Sequence, residues 1–243
     1  IRRMRGASAC HACGRCSGQR DAVQLIARSS NEEIVRYGNN PDSQWEVRLL
    51  LYGVISLAMG AFQWTVSPWF INLKQAMAEW LVARDMLWPL EANAPWWLLT
   101  HYPQVNDAFT WLDGMAISLY LLAASVLLGG GLQLLMHVSS RLAGQTPAFA
   151  RQLLLCLIPL GAAGLFLGLS ATTVKLLRYE GLALLWVQPT RAALLLAAIG
   201  WCLWLSWRVC VALPAPRKAA LLLSMALACS LIGYGWWLQF WGW

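Results

Sequence analysis

Three cysteines, Cys10, Cys13 and Cys16, stand two residues apart from one another in the run CHACGRC. A thiolate is both a nucleophile and a soft metal ligand. Each two-residue loop returns the next sulfur toward the same point, so this spacing suits three thiolates around one metal centre. The surrounding stretch is polar and rich in Arg, Ser and Asn. In a reducing compartment such cysteines do not settle into a structural disulfide. The remaining four differ in kind. Cys156, Cys202, Cys210 and Cys229 lie singly in long apolar runs, where a free cysteine behaves as a small buried hydrophobe.

Several centres compete for the triplet. The run C-x2-C-x2-C-x3-C-P binds [4Fe–4S] clusters in bacterial ferredoxins, its fourth cysteine serving the second cluster. Here the first three positions match, while the fourth falls on Arg20 and the proline on Asp21. Cys10, Cys13 and Cys16 could therefore ligate the iron of one [4Fe–4S] cluster, favoured over [3Fe–4S], with a fourth ligand from elsewhere. The chain opens on Ile1 and IRRMRG is followed by no apolar stretch, unlike a signal peptide. The expectation is that the segment continues upstream and supplies that ligand. Arg15 and Arg20 would raise the potential of an anionic cluster beside them. Zinc held by the three cysteines and His11 is a rival, although His11 directly follows Cys10 and would strain a tetrahedral shell. Unligated, vestigial thiols are another. A c-type haem needs C-x-x-C-H, and Gly14 follows Cys13.

The elements that must position this head are membrane helices. The 243 residues are 59% hydrophobic and only 12% charged, about half the charge of an ordinary soluble domain. The net charge of +7 is scattered over the ends of apolar runs, which argues against nucleic acid as a partner. A spanning helix needs about 20 mostly apolar residues, and five segments qualify: 49–70, 114–138, 153–174, 191–212 and 219–240. The reading is an all-α integral membrane fold of about five transmembrane helices, 48–243, behind a small cytoplasmic head, 1–47. Within the head, 21–28 reads as a short amphipathic helix and Gly38-Asn39-Asn40-Pro41-Asp42 as a turn. The loop 71–113 is too polar to span and too aromatic for a free linker, and 71–90 reads as an amphipathic helix on the outer surface.

Orientation follows the basic residues. Of 18 Lys and Arg, 13 fall on the head's side, leaving Lys74, Arg84, Lys175, Arg178 and Arg191 opposite. The head should be cytoplasmic and Trp243 periplasmic, in a bacterial inner membrane. Twelve of the 16 tryptophans, Trp236 among them, map to the outer half, as an interfacial belt would.

CHACGRCSG, followed by DAVQLIARSS and EEIVRYG, resembles the cysteine motif of bacterial membrane-bound polyferredoxins of the NapH, CcoG and NosR type. The resemblance covers about residues 8–37. It implies cytoplasmic [4Fe–4S] motifs joined to spanning helices, and electrons passed between a quinol or cytoplasmic donor and a membrane or periplasmic acceptor. It also implies further helices and cysteines upstream. The helices after the motif match no named member.

The membrane part offers little chemistry of its own. His101 lies in the outer loop and His137 at the inner end of the second span, roughly 35 Å apart, so this chain alone builds no bis-histidine haem site. The spans lack the buried acidic or basic relays of ion pumps, which counts against a transporter. Gln133, Ser170, Thr172 and Thr173 read as interhelical hydrogen-bonders. Gly161, Gly164 and Gly168 on one face, and the run Gly129-Gly130-Gly131, permit close helix approach or could line a quinone pocket, packing being the better reading. No P-loop, nucleophile elbow or HExxH motif occurs. The expectation is a membrane-anchored iron–sulfur electron-transfer protein, a component of an oxidoreductase system working with other redox subunits rather than a stand-alone enzyme. The rival is a non-catalytic assembly or structural subunit of a respiratory complex.

Overall fold

A computed structural model describes residues 29–38, 43–95, 97–102, 104 and 107–243. The cysteine triplet and the helix expected over 21–28 lie outside these residues. Five helices are long and apolar enough to cross a membrane: Ser43–Gln63, Trp111–Leu142, Pro147–Tyr179, Val187–Val209 and Ala215–Gly242. They are the first to fifth spans below. Apart from helices and turns, the described residues contain one two-residue antiparallel ladder, pairing His101 with Ala108 and Tyr102 with Asp107.

The third span is the central helix. Inside the protein lies 56% of its most apolar window, against 22% for the second span. Glycine makes that centre close-packed. The ring of Trp236 from the fifth span lies over Gly164, and the ring of Phe62 from the first lies over Gly168. The two rings are 6.0 Å apart at a tilt. Gly161 takes Leu50, Val54 and Ile55 of the first span at ordinary to tight contact. Lipid tails are as apolar as leucine, so helices associate in a membrane mainly through such packing. The glycine face is thus filled by side chains of the first and fifth spans, the packing alternative of the two. Trp236 is consequently 2% exposed and belongs to the core, not to the interfacial belt where its position in the sequence placed it.

The first and second spans meet through Gly129, which receives the Tyr52 ring. Tyr52 Oη donates to Gln133 Oε1 at 3.0 Å, and Ser125 Oγ donates to the Tyr52 carbonyl at 2.8 Å. Both helices are π-helical at this crossing, over Leu49–Leu57 and Ser125–Gly129. Gln133 is an interhelical hydrogen-bonder as expected, whereas Ser170 turns back to its own Leu167 carbonyl. Gly131 meets nothing.

Two breaks follow from proline. The first span ends at Gln63 and a new helix, Pro68–Val82, starts after Ser67. Proline at the first helical position loses no hydrogen bond, but it cannot extend the preceding helix. The span therefore ends seven residues earlier than the apolar run suggests, and it also begins six residues earlier. Pro159 removes one donor inside the third span, and Cys156 and Leu157 there close tight bonds to Leu153 and Leu154 carbonyls at 3.0 and 3.1 Å. The helices Pro147–Leu155 and Ile158–Tyr179 join at that step. Between the second and third spans, Gly144 takes a positive φ of 71° that glycine adopts without strain.

The helix Pro68–Val82 lies at the end of the bundle away from residue 43, and is shorter than the 71–90 expected. It stops at Ala83, and Asp85 turns the chain with φ of 55°. Phe70 packs edge-on against Tyr120 and Trp64. Lys74 is ion-paired with Asp113, whose carboxylate also accepts from Thr110 N and Oγ at 2.9 and 2.8 Å. Lys74→Met would leave that buried carboxylate on its capping bonds alone. The expected cost is about 1–2 kcal/mol, discounted from a fully buried pair because Lys74 is partly exposed. Faster amide exchange confined to 68–82 would report it.

Candidate functional site: the docked segment behind the cysteine triplet

About a dozen residues after Cys16, the chain enters a short helix. Ser29 caps it, its Oγ accepting from Glu32 N at 3.3 Å. The helix runs over Ser30–Glu32 and continues as a π-helical turn over Glu33–Tyr37. Twelve residues of extended chain reach at most roughly 43 Å, and less if helical. That length bounds how far Cys16 can lie from Ser29.

The segment is locked onto the bundle. Gln152, near the start of the third span, donates through Nε2 to the carbonyls of Ile34 and Val35 at 3.1 and 2.7 Å. Ile34 joins the main core cluster. Trp201 Nε1, in the fourth span, donates to Asn31 Oδ1 at 3.0 Å. Gly38 sits so close to Ile34 O, Gln152 and Leu155 that a side chain there would collide. The Gln152 amide joins parts of the chain well over one hundred residues apart. Its partners are two backbone carbonyls, so no residue pairing in the sequence announces the contact. Gln152→Leu would take the side-chain donor from the Val35 carbonyl, while the Ile34 carbonyl keeps the Gly38 N–H at 3.3 Å. The expected penalty is about 1–3 kcal/mol, seen as proteolytic opening of 29–38 with the five spans still helical.

Charge at this end is mixed. Arg48, Arg141, Arg151, Arg208, Arg217 and Lys218 lie at span ends on the same side as the docked segment. Arg48, Arg208 and Lys218 lie over Trp45, Trp204 and Trp207 at 4.7–5.2 Å, which holds the cations at the interface. Glu32 pairs with Arg36 at 3.5 Å.

The other residues that the sequence singles out are held by their own helices or packed in the core. His137 Nδ1 lies 2.9 Å from the Gln133 carbonyl, on its own helix. Cys156, Cys202, Cys210 and Cys229 are all buried, as expected of structural thiols. Among the described residues no three His, Cys, Asp or Glu side chains group as metal ligands. A groove of about 440 Å³ opens between the first, second and fifth spans, lined by Ser56, Gln63, Tyr120 and Tyr234 among apolar side chains. Ser56 Oγ in it is buried without a partner. From residue 43 to Ser56 and Gln63 is roughly 20–30 Å of helix, so the groove belongs to the opposite half of the bundle.

No protein-family model matches the chain, and neither a curated protein nor a solved structure matches it.

Proposed function

We propose that the protein is a membrane-anchored iron–sulfur electron carrier in which Cys10, Cys13 and Cys16 hold three irons of a [4Fe–4S] cluster at the cytoplasmic face. The observation that carries this reading is the docking of residues 29–38 by Gln152 and Trp201. A polar head on a free linker would have no use for such a seam. A redox centre that must exchange electrons with a membrane partner needs a fixed distance to it. The basic span ends on this side favour an anionic cluster and hold its potential up. The fourth ligand comes from outside this run of three cysteines. A quinol donor would meet the cluster at the head end, because the groove near Ser56 is too far from it for direct exchange.

The second reading, an assembly or structural subunit, draws on the opposite end, where Trp69, Trp80, Trp88 and Trp97 are all exposed. Exposed aromatics suit a membrane interface and a protein contact equally.

The deciding measurement is iron and acid-labile sulfide in the anaerobically purified full-length protein, with electron paramagnetic resonance after dithionite. Near-stoichiometric iron and sulfide with a fast-relaxing signal are expected. Zinc, or no metal, would sink the electron-carrier reading and leave the subunit reading.

A further inference from the structure

Six buried side-chain polar atoms lack a partner among the described residues, and three of them lie at one end of the bundle: Arg191 Nε, Gln188 Oε1 and Gln239 Oε1. Gln188 and Arg191 are one turn apart at the start of the fourth span, and Gln239 lies in the last turn of the fifth. Arg191 is 7% exposed. Its guanidinium lies over the Phe240 ring at 4.3 Å. No acidic side chain pairs with it among the described residues.

Burying a charge without an opposite partner is strongly unfavourable. A ring face offsets only part of that. The start of a 23-residue helix adds further positive potential at the same place. The position therefore favours an anion. Its depth is that of the headgroups, since Trp186, Trp237 and Trp241 stand around this end and indole prefers the membrane–water boundary. The two glutamine oxygens add acceptors, which would take hydrogen from a headgroup hydroxyl or ammonium.

We infer that Arg191, with Gln188 and Gln239, forms a binding site for the phosphodiester of a membrane phospholipid whose headgroup also carries hydrogen-bond donors, such as phosphatidylglycerol or phosphatidylethanolamine. The site lies at the end of the bundle opposite the docked segment and does not depend on the electron-carrier reading. The guanidinium and the helix start hold the phosphate, and the amides hold the headgroup tip. A lipid seated there ties the fourth span to the end of the fifth.

The test uses the full chain, delipidated in mild detergent. Phosphatidylglycerol or phosphatidylethanolamine should raise its melting temperature, and a phosphate-free glucosyl diacylglycerol should not. Native mass spectrometry should show at least one phospholipid retained by the wild type and several-fold less by Arg191→Gln. Equal retention by the variant, or equal stabilisation by the glycolipid, would overturn the site. An equal shift with inorganic phosphate alone would overturn the lipid assignment in favour of a soluble anion. Should Arg191→Gln fail to fold, the comparison of lipids on the wild type still decides.

Discussion

Gly164→Leu is expected to prevent the third and fifth spans from assembling, while Gly131→Leu leaves the protein unchanged. A Cβ on Gly164 would stand 2.5 Å from Trp236 Nε1 and 2.6 Å from the adjoining ring carbon. The rest of a leucine needs the space the indole fills, so the ring must leave. Overpacking alone costs about 1–3 kcal/mol, and losing the burial of a tryptophan costs about 3–5 kcal/mol by analogy with truncation. Displacement also releases Phe62, which shares the seam through its contact with Trp236 and covers Gly168. No aqueous driving force pulls helices together inside lipid to compensate. Gly131 has nothing within 4 Å of where its Cβ would be, so leucine there points into open space. Melting in detergent, followed by size-exclusion chromatography, should separate the two variants sharply. Similar melting for both would mean that the glycine seam is not what holds the bundle.

That glycine face shows what could be read in advance. The spacing of Gly161, Gly164 and Gly168 announces a close approach, and the number of spans follows from five apolar runs. Which partner fills the seam is a tertiary matter. Trp236 reads as an interfacial residue because it stands near a chain of tryptophans at the end of a span, yet it is the side chain that the glycines admit. The start of the first span hides for the opposite reason. Gln44, Glu46 and Arg48 look like a linker, but they are exposed on one side of Ser43–Arg48, while Ser43 and Val47 are buried on the other. Polarity on one face of a helix end does not stop the helix.

The residues around the candidate site were legible only in part. The cysteine triplet stands out by spacing alone. Gln152 does not, because one glutamine beside Arg151 reads as a span boundary and its partners are carbonyls. Arg191 likewise reads as a boundary cation. Its isolation becomes visible only when the fourth and fifth spans bring Phe240 to it and no carboxylate with it. Sequence patterns record what a residue prefers, and these two sites depend on what the fold places beside Gln152 and does not place beside Arg191.

Cys13→Ser should abolish the iron–sulfur signal outright and leave the five spans inserted. A serine hydroxyl is a far poorer ligand for a soft iron–sulfur centre than a thiolate, and the middle cysteine of the triplet has a ligand on either side in sequence. The contacts that hold the spans together run through Gly164, Gly168, Gly129 and the residues packed on them. Loss of cluster should therefore leave the melting of the helical bundle near that of the wild type. Gln152→Leu is the complementary variant. It should keep iron and sulfide but free the docked segment, shifting the cluster's potential and slowing electron exchange with a membrane partner without removing the centre. On the electron-carrier reading the pair separates two jobs, holding the cluster and anchoring the segment behind it. If Cys13→Ser retains full iron and sulfide, the ligand assignment fails. If Gln152→Leu behaves as wild type in both potential and exchange rate, the docked segment is packing alone and the electron-carrier reading loses the observation on which it stands.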